Sequence, residues 1–134
     1  MDCIFCKIVT KEVPNYTVYE DEHVLAFLDI FPRVEGHTVV IPKEHGVTIF
    51  DLSSEIVGRV MQGVQKAAER VQNVLKPEGF SIGFNHGEVA GQVVPHLHFH
   101  ILPRWKGDKG GNMHSIVKTE HVRPVGETAE LFKK

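Results

Sequence analysis

His96, His98 and His100 recur at alternate positions in Pro95-His96-Leu97-His98-Phe99-His100-Ile101-Leu102-Pro103, with large apolar residues between them. Period-two alternation is the pattern of a β-strand, whose successive side chains point to opposite sides of a sheet. On that reading Leu97, Phe99 and Ile101 enter a core, and the three imidazoles stand in a row on the other face. A strand that needs only a polar outer face has no particular use for histidine. Imidazole titrates near neutrality, ligates metals and serves as nucleophile or acid–base, so the row reads as a site. Its spacing also limits what it does. Neighbouring histidines lie about 6.6 Å apart and the outer pair about 13 Å, which excludes a three-histidine zinc centre made from this strand alone. Each ring has its own task, or one joins a metal site completed from elsewhere.

The two cysteines carry the second chemical signal, Cys3-Ile4-Phe5-Cys6. In a reducing compartment such a C-x-x-C pair reads as half a metal site or as a redox motif. The thioredoxin-like arrangement places the pair at a helix N-terminus after a strand, and a pair at residue 3 leaves no room for that strand. Zinc completed by two histidines is the better reading, because thiolates and imidazoles suit it, with redox use as the alternative.

The elements that must position these groups follow from periodicity and punctuation. Thr17–Glu20 and Val24–Leu28 flank Asp21-Glu22 as a hairpin, and Gly36 leads into a third strand, His37–Ile41, closed by Pro42. A long helix over Ser54–Lys76 is capped by Ser53 or Ser54. It shows apolar spacing at Ile56, Val60, Val64, Ala68, Val71 and Leu75, and it ends before Pro77 and Gly79. Phe80–Phe84 is a fourth strand, a glycine-bearing loop runs from Asn85 to Gly91, and the histidine strand is the fifth. Three strands, a helix and two strands predict an α+β fold, with a five-stranded antiparallel sheet covered on one side by the helix.

With 134 residues, 42% of them hydrophobic and 24% charged, the chain is expected to form one domain, 1–134, whose segment 105–134 carries the least pattern. The net charge of −2 is scattered, which argues against an extended nucleic-acid footprint. No apolar run reaches a membrane span, and the N-terminus lacks a signal-peptide pattern, so the expected location is cytoplasmic.

His96-Leu97-His98-Phe99-His100-Ile101-Leu102 resembles the defining motif of the histidine triad superfamily, and Val24–Ile30, Gly36–His45 and Asn85–Trp105 are similar to its further motif segments in the same order. The Cys-Ile-Phe-Cys-Lys-Ile opening is most similar to prokaryotic members of the histidine triad nucleotide-binding branch. The resemblance implies a hydrolase or nucleotidyl transferase. His98 attacks the α-phosphorus of a nucleoside 5′-phosphoramidate or related conjugate, and water then releases the nucleotide. It further implies His100 on the phosphate oxygens, His37 approaching the triad, and Gly91, Gln92 and Val93 as a phosphate loop offering backbone N–H groups. Asn85 would contact the phosphate and Asp29 the ribose hydroxyls, with Ile4, Phe5, Ile8, Phe27 and Ile30 forming an apolar slot for the base. His96 and His45 would complete a structural zinc site with Cys3 and Cys6, and no catalytic metal is expected. The implied partners are an AMP-type purine nucleotide and a second copy of the chain in a homodimer. Val93 departs from the family, where many members carry Ser or Thr whose hydroxyl bonds the phosphate or leaving group. Two alternatives remain at this stage: a dinucleoside polyphosphate hydrolase, which shares the triad, and a zinc-stabilised nucleotide-binding scaffold with negligible turnover.

Overall fold

The computed structural model describes residues 2–133. A short helix α1 (Ile4–Val9) precedes strands β1 (Thr17–Glu20), β2 (Val24–Leu28) and β3 (Thr38–Pro42). The long helix α2 (Ser54–Leu75), strands β4 (Gly79–Gly83) and β5 (Phe99–Arg104), and a C-terminal helix α3 (Val125–Glu130) complete the order. The five strands form one antiparallel sheet in the order β1-β2-β3-β5-β4. No helix among the described residues is long and apolar enough to cross a membrane.

Local chemistry explains the ends of α2. The Ser53 side chain accepts the Ile56 N–H, a cap that contributes about 1 kcal/mol. Glu55 sits in the first turn, and Lys76 closes the helix in the left-handed conformation, its N–H donating to Gln72. Gly63 lets the helix lie close on the sheet: a Cβ there would stand 2.5 Å from Val24 Cγ1.

Alternation sorts the strands onto two faces. Val24, Ala26, Val40, Phe99 and Ile101 join Leu97 and the α2 residues Val60, Val64 and Ala67 in one core. Leu25, Phe27, Val39 and Ile41 point the other way and join Ile8 of α1 in a second core, with Phe5, Val9 and Val13 packed against it. The sheet is therefore covered on both sides. The sequence pattern indicated only α2 as a cover, because six residues are too few to show helical periodicity.

The fifth strand begins at Phe99, not at His96. His96 and His98 lie in the approach to it, where His96 sits in a bend with its N–H donating to the Val94 carbonyl, and Leu97 N–H donates to the Gly46 carbonyl rather than to a sheet ladder. The alternation survives this shift: Leu97, Phe99 and Ile101 all lie in the core beneath α2. His96 and His98 are buried, and the histidine face is a packed face rather than a solvated one. Over residues 107–133 the chain is exposed except for half-buried Thr128, and Arg104 anchors the start of this segment through Asp108 and the Gly111 carbonyl.

Candidate active site and metal centre

The first histidine of the row turns away from the other two, towards the cysteines. Cys3 Sγ lies 3.4 Å from His96 Nδ1, Cys6 Sγ 3.6 Å from His96 Nδ1 and 3.3 Å from His45 Nδ1, and the two Nδ1 atoms are 3.1 Å apart. A tetrahedral ion with bonds of 2.0–2.3 Å needs ligand separations of about 3.3–3.8 Å, so the four atoms approximate the corners of such a site. His96 Nε2 lies 2.9 Å from the Pro42 carbonyl. A carbonyl only accepts, so Nε2 carries the proton and the Nδ1 lone pair faces the centre, as ligating histidines require. Two thiols and two imidazoles so arranged could hold a metal ion with no open position for water.

His98 is set differently. Its Nδ1 lies 2.7 Å from the His96 carbonyl, so Nδ1 carries the proton and Nε2 keeps its lone pair, bonded to nothing among the described residues. The Phe5 ring stands edge-on to it, with centroids 5.1 Å apart.

His100 takes the opposite tautomer. His37 Nδ1 accepts the Arg33 backbone N–H at 3.2 Å, which leaves the His37 proton on Nε2, 2.9 Å from His100 Nδ1. His100 Nδ1 must then accept, and its own proton sits on Nε2. Asp29 Oδ2 lies 3.5 Å from His37 Nε2, while Oδ1 accepts the Phe31 N–H. Asp29, His37 and His100 are close enough to be considered as ligands, but His37 Nε2 carries the proton that a metal would have to displace. This second cluster is a hydrogen-bonded relay. On the sheet His100 lies opposite Val39 and Gly83, and the Met113 side chain comes within 4.0 Å of where a Cβ on that glycine would stand.

The loop before the triad is tied down internally. The Gly91 N–H donates to the Glu88 carbonyl and the Gln92 N–H to Gly87, so these two amides are not free for a ligand. Only the Val93 N–H of the three has no protein acceptor among the described residues. Gln92 is buried, and its side chain accepts from Gly87 N–H and donates to the Val47 and Val94 carbonyls. It clamps the loop rather than facing a ligand. Gly91 has φ +105°, where an L-residue is strained, and a Cβ there would come 3.4 Å from Asn85 Nδ2. Asn85 is exposed, with no bond to its side-chain amide among the described residues, and Val93 is 88% exposed.

The sequence model of the HIT domain matches residues 10–107. The chain belongs to the HIT family. It is 51% identical over 132 residues to an uncharacterised HIT-like protein of Methanocaldococcus jannaschii, covering 98% of this chain and 97% of that one. It is 38% identical to an adenosine 5′-monophosphoramidase of Schizosaccharomyces pombe, over 95% of each chain. Among solved structures it is similar to a zinc-bound histidine triad family protein from Mycobacterium smegmatis, with a TM-score of 0.77 and 42% identity over 81% of this chain and 79% of that one.

Of the apolar residues that sequence assigned to a base slot in this HIT protein, Ile8 and Phe27 are buried in the second core, and Phe5 is half-buried between Phe27 and His98. Ile4 and Ile30 keep accessible surface, at 45% and 70% exposure. Three groups had no signal in the sequence: the Arg33 N–H, the Pro42 carbonyl and the His96 carbonyl. All are backbone, and backbone has no residue code.

Burial pushes His37 and His100 below the ordinary histidine value. His100 falls to about 4, chiefly by desolvation and then by the neighbouring His98 and His37, against which Asp29 pulls upward. Both rings are neutral at pH 7. Unfolded histidines protonate near 6.5, so in the window from there down to about 4 the unfolded chain takes up protons that folded His100 refuses. Stability is therefore expected to fall as pH drops through that window. Urea melts should give a lower midpoint at pH 5 than at pH 7.5, and equal midpoints would contradict the buried, neutral relay.

Proposed function

We propose that the chain hydrolyses nucleoside 5′-phosphoramidates, or related nucleotide conjugates, at the α-phosphorus through a nucleotidyl-His98 intermediate. The observation that carries this reading is the pair of opposite tautomers: a lone pair on His98 Nε2 beside a proton on His100 Nε2. One ring is ready to attack and the other to donate to a phosphate oxygen, and neither needs to change state first. The phosphoramidase name of the fission-yeast relative supports the substrate class.

In the proposed reaction the leaving nitrogen takes a proton from solvent, and His98 Nε2 forms a bond to phosphorus as the bond to that amine breaks, the amine keeping the electron pair. Water then attacks phosphorus, returns the electron pair to Nε2 and leaves a nucleoside monophosphate. Overall the phosphoramidate and one water give the monophosphate and the protonated amine. The His100 Nε2–H stabilises charge on the phosphate oxygens, and a donor placed in advance costs no reorganisation at the moment of reaction. The Val93 N–H and Asn85 amide are the remaining donors near the loop. Asp29 takes the ribose hydroxyls, and Ile4, Ile30 and the edges of Phe5 and Phe27 flank the base. Cys3, Cys6, His45 and His96 hold one structural zinc, which supplies no chemistry to the reacting phosphate.

Incubation with an activated adenosine monophosphate ester, acid-free quenching and intact-mass measurement test the intermediate. One added nucleotidyl group that vanishes in His98→Ala is the expected result, and no adduct at any time would leave a nucleotide-binding scaffold.

The same reading includes a homodimer. β4 is an edge strand, and Gly58, Met61, Gln62, Gln65 and Ile82 line a groove between it and α2, with Met61 52% exposed. Unpaired strand edges and contiguous apolar surface favour association. Sedimentation at micromolar concentration should give a dimer that Met61→Glu converts to monomer, and a monomeric wild type would end the claim.

A further inference from the structure

We infer that the Cys3–Cys6–His45–His96 centre is a positioning element for His98, acting through the His96 carbonyl and the Phe5 ring. The inference deepens the proposed reaction and rests on His98 being its nucleophile. Three groups hold the His98 imidazole, one of them the His100 ring, whose centroid lies 5.0 Å away. The His96 carbonyl accepts its Nδ1–H at 2.7 Å, and the Phe5 ring packs T-shaped against it at 5.1 Å with an interplanar angle of 81°. The His96 carbonyl and Phe5 are tied to the metal centre: His96 is one ligand, and Phe5 lies in sequence between two others, Cys3 and Cys6.

Phe5 is also edge-on to the His96 ring at 5.9 Å and to Phe27 at 5.6 Å, so it fills the angle between centre and nucleophile. α1, which carries Phe5, has six residues and buries only Ile8 fully. A helix of that length does not hold itself together in water. Ligation of Cys3 and Cys6 together with His96 is what joins this helix to the approach of β5. Without it, α1 is held by the packing of Ile8 and Phe5 on the second core, and the His96 side chain keeps one anchor, its Nε2–H bond to the Pro42 carbonyl, in place of two, so the Phe5 ring and the His96 carbonyl are less firmly set against His98. His98 then samples the tautomer with Nε2 protonated, which has no lone pair to offer phosphorus.

Ring ¹⁵N spectra of selectively labelled protein at fixed pH test this without substrate. With zinc bound, His98 should show one tautomer, protonated at Nδ1. After chelation, provided the circular dichroism spectrum is kept, both tautomers should appear, with His37 and His100 unchanged. kcat should then fall about tenfold or more, KM should rise as well because Ile4 and Phe5 of α1 flank the base, and re-addition of zinc should restore the single tautomer and both constants. Unchanged His98 signals and kcat in the folded, metal-free chain would overturn the inference. If the chelated chain unfolds, Phe5→Leu decides, because it keeps all four ligands. One bound equivalent of zinc, mixed His98 tautomers and reduced kcat are expected, and wild-type values of both would overturn it. A wild-type protein whose His98 spectrum responds to zinc but which never forms a nucleotidyl adduct would sink the proposed function and leave the positioning intact.

Discussion

Replacing His98 by alanine is expected to lower kcat by at least about a thousandfold while leaving nucleotide affinity within about threefold. The asymmetry follows from where the interactions lie. Among the described residues no protein group bonds the Nε2 lone pair, which the proposed reaction uses, so the substitution deletes the bond-forming atom and the pathway with it. The groups proposed to hold the nucleotide (Asp29, Ile4, Ile30 and the His100 Nε2–H) are on other elements and stay in place. The substitution has one structural cost: the buried His96 carbonyl loses its partner, at about 1–3 kcal/mol. His98→Asn offers a side-chain donor in place of the lost Nδ1–H and should match the alanine variant in kcat with a smaller loss of stability. Steady-state kinetics with calorimetric titration of AMP would check both halves, and near-wild-type turnover by either variant would remove the nucleotidyl-histidine mechanism.

Chelation of zinc-loaded protein is expected to lower Tm by about 15 °C, and zinc should restore it. An ion present at about a thousand times its dissociation constant stabilises the folded state by about 4 kcal/mol. In a domain of this size each kcal/mol moves Tm by about 4 °C. The loss should stop short of complete unfolding, because the core between the sheet and α2 owes nothing to the centre. The consequence is concentrated at α1, whose attachment depends on Cys3, Cys6 and one small apolar cluster. Differential scanning calorimetry with and without chelator decides it, and a Tm unmoved by zinc would rule out a stabilising ion at these four ligands.

Much of the architecture was legible in the residues because it rests on periodicities that long elements repeat. The 22-residue α2 declares its apolar stripe several times over, and Leu97, Phe99 and Ile101 reach the core as their alternation with histidine requires. The order of strands around one long helix led to the antiparallel five-stranded sheet that the structure has. Short elements escaped. α1 repeats nothing, so the second cover of the sheet and the burial of the histidine face were not legible.

The chain's own spelling determined which imidazoles and thiols are available and how far apart a single extended segment can set them. That excluded a centre made from the three triad histidines. Only tertiary structure decided what each ring does, because a ring's tautomer is set by whatever faces its second nitrogen. For His96 that is the Pro42 carbonyl, for His98 the His96 carbonyl, and for His100 a histidine held in turn by the Arg33 N–H. Likewise Gly91 and Gln92 looked ready to cradle a phosphate, and the fold spends their amides on the turn itself. These deciding groups are main-chain atoms that every residue carries, so their identity lies in where the fold brings them and not in the letters of the sequence.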